Sequence, residues 1–166
     1  MNVAFINVDV QQYYTELEKF KPFINQSIET INYVSALFRE ANQPVIHIQH
    51  AHAAEGPGSD GFEVAAEITQ SSQDYYITKS YGNAFWQTPL HDLLIDLKVD
   101  FVVIAGLSAT QCVVATLNGA VERDFGAVLL QNGVLDVSQE NIDVIMNAKP
   151  VISYPAIKKL LTLISS

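Results

Sequence analysis

Residues Phe101–Phe125 read FVVIAGLSATQCVVATLNGAVERDF, and the rest of the chain is interpreted from this stretch. Phe101–Ala105 is an unbroken apolar run of strand length, Gly106–Gln111 is a short run of small and polar residues, and Cys112 opens a segment with helical periodicity. The pattern predicts a strand, a tight turn and a helix, with a thiol at the helix start. Unpaired backbone N–H groups and the positive end of the helix dipole meet at such a position, so a thiolate or a developing oxyanion is stabilised there. Cys112 is the only cysteine, so it has no intrachain disulfide partner, in keeping with a reducing compartment.

Downstream, Ala127–Gln131 reads as a fifth strand and Ser138–Ala148 as a helix capped by Ser138. Val151–Tyr154 reads as a sixth strand and Ala156–Ile164 as a closing amphipathic helix. Upstream, Pro89 suits the first turn of a helix running to about Lys98, and Tyr75–Lys79 is a short third strand. Phe62–Ile68 is expected to form a short helix, after a glycine-rich loop at Ala51–Gly61. Pro44–His50 is the second strand, preceded by a helix from an N-cap at Ser27 to about Ala41. Asn2–Val10 is the first strand, joined to that helix by an aromatic-rich connection over Gln11–Pro22.

Strands alternate with helices, and most strands are continuous apolar runs, as in a parallel sheet covered on both faces. The expected fold is α/β: a three-layer α/β/α sandwich around a mostly parallel, doubly wound sheet of six strands, forming one domain over residues 1–166.

Composition excludes several classes of function. The net charge of −9, with no basic stripe, argues against nucleic-acid binding. No apolar stretch approaches the roughly 20 residues of a membrane span. The opening MNVAFINVDV lacks a basic region and reads as a strand, not a secretory signal, so a cytoplasmic location is expected.

In an open parallel sheet, ligands bind beyond the carboxyl ends of the strands. Asp9 lies near the C-terminal end of the first strand, Lys79 ends the third, and Cys112 lies beyond the fourth. Their residue types suit nucleophilic catalysis: a thiol to attack, a cation to favour the thiolate, and a carboxylate to carry protons.

With these pieces assembled, the chain resembles the isochorismatase-like cysteine hydrolases, a superfamily that includes nicotinamidases and carbamoylsarcosine amidases. The matching segments are AFINVDVQ, ITKSYGNAFWQTPL and VVIAGLSATQCVVATLNGAVERDFGAVLL, in that order over about residues 3–136. The resemblance implies that Asp9, Lys79 and Cys112 form a catalytic triad. It also implies a cis peptide joining Leu107 and Ser108, in a turn that with Cys112 directs N–H groups at the substrate oxyanion. The expected partner is a small amide or ureido substrate, cleaved at its C–N bond through a thioester without a cofactor. A homo-oligomer is implied as well. The alternatives are a metal-dependent nicotinamidase and a catalytically silent relative serving in binding or assembly.

The metal alternative rests on HIQHAHAAEG, which lacks the aspartate that nicotinamidases place among their ligands. Strand periodicity sets His50 and His52 on one face and His47 on the other, so at most a pair converges and no metal site is expected. His47 is expected to be a satisfied core residue. His50, with the loop aromatics Tyr14, Tyr81, Phe85 and Trp86, is expected to border the substrate pocket.

Overall fold

A computed structural model describes residues 1–166. Its strands are β1 (Asn2–Val8), β2 (Val45–His50), β3 (Tyr75–Lys79), β4 (Val99–Leu107), β5 (Gly126–Leu135) and β6 (Val151–Ile152). They form a single sheet in the order β3-β2-β1-β4-β5-β6, and every neighbouring pair is parallel. The chain winds outward from β1 through β2 to β3, then returns to the centre and winds the other way from β4. The strand order therefore reverses between β1 and β4, the point where a crevice opens at the carboxyl edge of such a sheet.

The helices are α1 (Gln12–Thr15), α2 (Lys21–Glu40), α3 (Leu90–Asp96), α4 (Val114–Val121), α5 (Gln139–Ala148) and α6 (Tyr154–Ile164). Alternation along β1 divides its side chains between two cores. Ala4, Ile6 and Val8 pack with Leu90 and Leu94 of α3, Leu117 of α4 and Ile145 of α5. Val3 and Phe5 pack on the opposite face with Ile31, Val34 and Phe38 of α2 and with Ile157 and Leu161 of α6. The Phe5 and Phe38 rings lie 5.3 Å apart there. These two apolar layers produce the α/β/α sandwich.

Several boundaries differ from those read in the sequence. α2 starts six residues before Ser27, at Lys21, with Pro22 in its first turn. A proline is preorganised for that position, and it outweighs the serine as a start signal. Ser27 is instead buried inside the helix at 4% exposure. The expected helix over Phe62–Ile68 is absent. A single 3₁₀ turn at Asp60–Phe62 leads to Val64, which bridges antiparallel to Gln11. Tertiary pairing has overridden local propensity in this segment. β6 is shorter than expected, and Tyr154 begins α6 with Pro155 in its first turn. No helix is long and apolar enough to cross a membrane.

Candidate active site

β1 leads directly into Asp9, whose backbone takes the left-handed conformation at φ 56° while its N–H donates to the Ile48 carbonyl at 3.0 Å. Aspartate tolerates this region better than most residues. Beside it, β4 runs close to β1 at Gly106, where φ is 113° and a Cβ would stand 2.1 Å from the Val8 carbonyl oxygen. Only glycine fits that approach. The Leu107–Ser108 peptide that follows is cis.

Cys112 does not open a regular helix. It lies in a π-helical turn, Ala109–Val113, where Gln111 has non-helical angles (φ −125°, ψ −106°), and α4 begins two residues later at Val114. The N–H groups of Gln111 and Val113 both donate to the Ser108 carbonyl, at 3.0 and 3.2 Å. This turn is pinned from outside by Asp136, just after β5. Its Oδ2 accepts from the Thr110 N–H at 2.9 Å and the Thr110 hydroxyl at 2.7 Å. Its Oδ1 accepts from the Val137 N–H at 2.7 Å and Asn141 Nδ2 at 3.0 Å.

Lys79, the last residue of β3, connects the parts. Its Nζ donates to Asp9 Oδ2 at 3.0 Å, to the Tyr81 carbonyl at 2.9 Å and to Cys112 Sγ at 3.3 Å. Asp9 and Lys79 are 2% and 1% exposed, so solvent does little to screen the pair, whereas Cys112 remains half-buried and reachable. Asp9 Oδ1 has no hydrogen-bond partner. The three residues singled out in the sequence are thus brought together, with one carboxylate oxygen free.

Burial raises the Asp9 carboxyl above the usual range, with the Lys79 ammonium acting in the opposite direction. Burial and the neighbouring Asp9 charge push the Cys112 thiol up to about 11, against the pull of Lys79. At neutral pH the thiol therefore holds its proton. Burial and then the Asp9 charge push the Tyr14 phenol up to about 12, which keeps it a neutral donor. Burial, followed by the charges of Lys79 and His52, pulls His50 down to about 4.

A cavity of about 190 Å³ opens over Cys112 and Asp9. Its walls include Tyr14 and His50, as expected, together with Leu107 and Ser108 of the turn. They also include Lys19, Phe20 and Gln111, which sequence reasoning did not single out. Lys19 and Phe20 belong to a 3₁₀ turn, Glu18–Phe20, just before α2. That turn fell within a segment read only as a connection. Three expected pocket residues lie outside these walls. Phe85 is buried in the core at 4% exposure, stacked 6.0 Å from Phe125 and covered by the Arg123 guanidinium. Tyr81 and Trp86 are exposed, and Tyr81 contributes its carbonyl to Lys79 instead of its ring. Gln11, also not singled out, ties the ends of β1 and β2 together: its Oε1 accepts from the His50 N–H at 2.8 Å and its Nε2 donates to the Phe62 carbonyl at 2.7 Å.

The histidines of β2 divide as their periodicity requires. His47 is buried, bonded through Nε2 to Asp74 Oδ2 at 2.9 Å and stacked on Tyr76. The His50 and His52 rings lie 5.3 Å apart, and no three His, Cys, Asp or Glu side chains are grouped so as to hold a metal ion.

A doubly wound parallel sheet with a thiol, an ammonium and a carboxylate at its switch point defines a class of α/β protein. The Isochorismatase domain model matches residues 3–148, and the chain belongs to the isochorismatase family of hydrolases. It is similar to the isochorismatase family protein YaaI of Bacillus subtilis, at 29% identity over 79 residues, 48% of this chain and 44% of that one. The match to YaaI thus spans less than half of that relative. It is also similar to the maleamate amidohydrolase of Pseudomonas putida, at 26% identity over 153 residues covering 80% and 72% of the two chains. The crystal structure of N-carbamoylsarcosine amidase from Thermoplasma acidophilum shares the fold, with a TM-score of 0.80, 24% identity and coverage of 92% and 95%.

Proposed function

We propose that this protein is a cysteine hydrolase that cleaves the C–N bond of a small amide or ureido compound through a thioester on Cys112. The observation that carries this reading is the placement of Lys79 Nζ, 3.0 Å from Asp9 Oδ2 and 3.3 Å from Cys112 Sγ. The likeness to a maleamate amidohydrolase and a carbamoylsarcosine amidase supports amides as the substrate class.

The roles follow from the resting protonation states. Since the thiol is neutral, its proton leaves as Sγ attacks the substrate carbonyl, and the unpartnered Asp9 Oδ1 is the acceptor. The raised basicity of Asp9 helps this transfer, because a carboxyl at its ordinary value is a weak base. Lys79 holds Asp9 Oδ2 in place and offers a positive charge to the developing thiolate. As the C–N bond breaks, Asp9 returns the proton to the leaving nitrogen, giving ammonia or an amine and the acyl-Cys112 thioester. Water then gives a proton to Asp9 and attacks the thioester, and the departing sulfur recovers that proton. The oxyanion of each tetrahedral state is assigned to the Cys112 end of the turn, since the N–H groups of Thr110, Gln111 and Val113 are committed to Asp136 and Ser108.

The test is ammonia release from a panel of small amides and ureido compounds. Substituting Cys112→Ala is expected to abolish turnover of whichever substrate is found, and unaltered turnover would refute the assignment.

A further inference from the structure

Away from the thiol cavity, α2 and α6 cover one face of the sheet, with Ile31 and Val34 of α2 and Ile157 and Leu161 of α6 in a common core. Their outer faces flank a hollow of about 320 Å³ walled by Glu29, Thr30 and Tyr33 of α2 and Tyr154 of α6. Glu29 and Tyr33 are four residues apart in the helix, so they sit on one face, a turn from each other. None of the four walls borders the cavity over Cys112.

The Tyr33 and Tyr154 rings lie 5.2 Å apart at an interplanar angle of 76°, the edge-to-face arrangement that aromatic pairs prefer. They remain 43% and 47% exposed, so the pair forms a corner with open ring surface. An aromatic face carries negative potential, and Glu29 adds a full negative charge in the same hollow. Glu29 enters none of the ion pairs of the molecule. The cations that do stand over aromatic rings, Lys19 and Arg123, are over Phe20 and Phe85 instead. Lys158, one turn beyond Tyr154, lines a separate hollow with Leu37 and Glu40. The start of α6 contributes a partial positive charge of about half a unit, less than the carboxylate supplies. The corner is therefore negative, and no side chain of the protein neutralises it.

Its size and walls narrow the ligand. The hollow is at the lower end of the ~300–1,000 Å³ of small-molecule sites. A primary ammonium brings three N–H donors, and the corner offers one carboxylate for them. A quaternary ammonium has no N–H to satisfy and binds through ring faces and charge, as choline does in an aromatic cage.

We infer that this corner binds the quaternary ammonium group of a small organic cation, with its methyl groups against the Tyr33 and Tyr154 rings and Glu29 as counter-ion. The site is independent of the thiol chemistry.

The experiment titrates choline into the wild-type protein carrying ring-labelled tyrosine, followed by NMR. The same titration is run with dimethylbutanol, the uncharged isostere with carbon in place of nitrogen, and with ethanolamine, the primary-ammonium counterpart. A cation–π contact at an exposed site corresponds to roughly 2- to 5-fold in affinity, so two rings should favour choline over dimethylbutanol by roughly 4- to 25-fold. Saturable shifts are expected at Tyr33 and Tyr154. Tyr33→Leu and Tyr154→Leu should each weaken choline binding by at least the single-ring factor, and Tyr33→Phe should retain it. Glu29→Gln should weaken binding and reduce its sensitivity to salt. Absence of saturable binding, equal affinity for dimethylbutanol, tighter binding of ethanolamine, or choline affinity unchanged in Tyr33→Leu and Tyr154→Leu would overturn the site. The three-ligand comparison uses wild-type protein alone, so it decides the matter even where a variant fails to fold.

Discussion

The molecule buries two carboxylates beside cations and treats them in opposite ways. Asp74, whose side chain is 1% exposed, accepts Arg39 Nε at 2.9 Å on Oδ1, and Arg39 Nη2 at 2.7 Å, His47 at 2.9 Å and the Ser71 N–H at 3.0 Å on Oδ2. Burial alone would raise its pKa, but this full set of donors holds it below the usual range. Asp9 is comparably buried, at 3%, yet it has only Lys79 on Oδ2 and nothing on Oδ1. Burial prevails there and its pKa rises. Saturation with donors, not depth, separates a carboxylate that ties β2 to α2 from one free to accept a proton. Asp136 follows Asp74: burial raises its pKa, but donors led by the Thr110 N–H more than offset that, and its task is to hold the turn that carries Cys112.

The largest effect expected from this contrast is on turnover. Asp9→Asn removes the proposed proton acceptor and should lower kcat by about 10²–10⁴-fold, as for loss of a general base. Asp74→Asn should leave kcat within roughly threefold, since it touches none of the reacting groups. An equal fall in both variants would erase the distinction between them.

Asp74→Asn should act on stability instead. It leaves a half-buried guanidinium without its counter-ion, which should cost up to about 3 kcal/mol, the low end of the range for a buried pair. Urea unfolding of the two variants checks this, and an unchanged midpoint for Asp74→Asn would show that its network is dispensable.

A smaller loss is expected at the turn. Asp136→Ala removes the acceptor for Thr110, Val137 and Asn141 and should cost about 1–3 kcal/mol, the range for an unsatisfied buried partner. It should also lower kcat, because the turn positions Cys112. Full activity in Asp136→Ala would mean that the turn holds its shape unaided.

The pH dependence of stability gives the finest test. His47 is held below its ordinary value chiefly by burial, so its unfolded form takes up a proton first and its contribution is lost as pH falls below about 6.5. Asp74 and Asp136 are also depressed, so they contribute stability above the unfolded carboxyl value of about 3.9, lost as pH falls through their folded values. Asp9 is raised and has the opposite sign: its contribution is complete below about 3.9 and is lost as pH rises through its folded value. Unfolding midpoints followed from pH 8 to 3 should therefore fall on acidification, with the His47 share of the early decline removed by His47→Gln and the share of the likewise depressed His50 left in place.

The fold was legible because its central strands β1, β2 and β4 are buried on both faces over most of their length, so continuous apolar runs such as Phe101–Ala105 announced them. That the three residues of the candidate site lie together was legible for a related reason. Asp9 and Lys79 are charged groups at the ends of apolar strands, where parallel-sheet topology gathers functional groups. The rim was not legible. Lys19 and Phe20 reach the cavity through a turn that follows no hydrophobic period, and Pro22, the mark of the helix beyond it, was passed over in favour of Ser27. Phe85 and Trp86 were misplaced because an aromatic residue in a loop fits a core as well as a pocket. Asp136 went unnoticed because its partners, Thr110 and Asn141, are 26 residues before it and five after, and only the folded chain shows that they meet.

The most direct test is intact-protein mass spectrometry during turnover, quenched in acid so that a thioester survives. With a substrate found in the amide panel, the wild-type protein should gain the mass of the substrate acyl group, localised to Cys112 by peptide mapping. The gain should be absent in Cys112→Ala and slower to form in Asp9→Asn. Turnover that persists in Cys112→Ala, or an acyl group found on any other residue, would contradict the role given to the thiol.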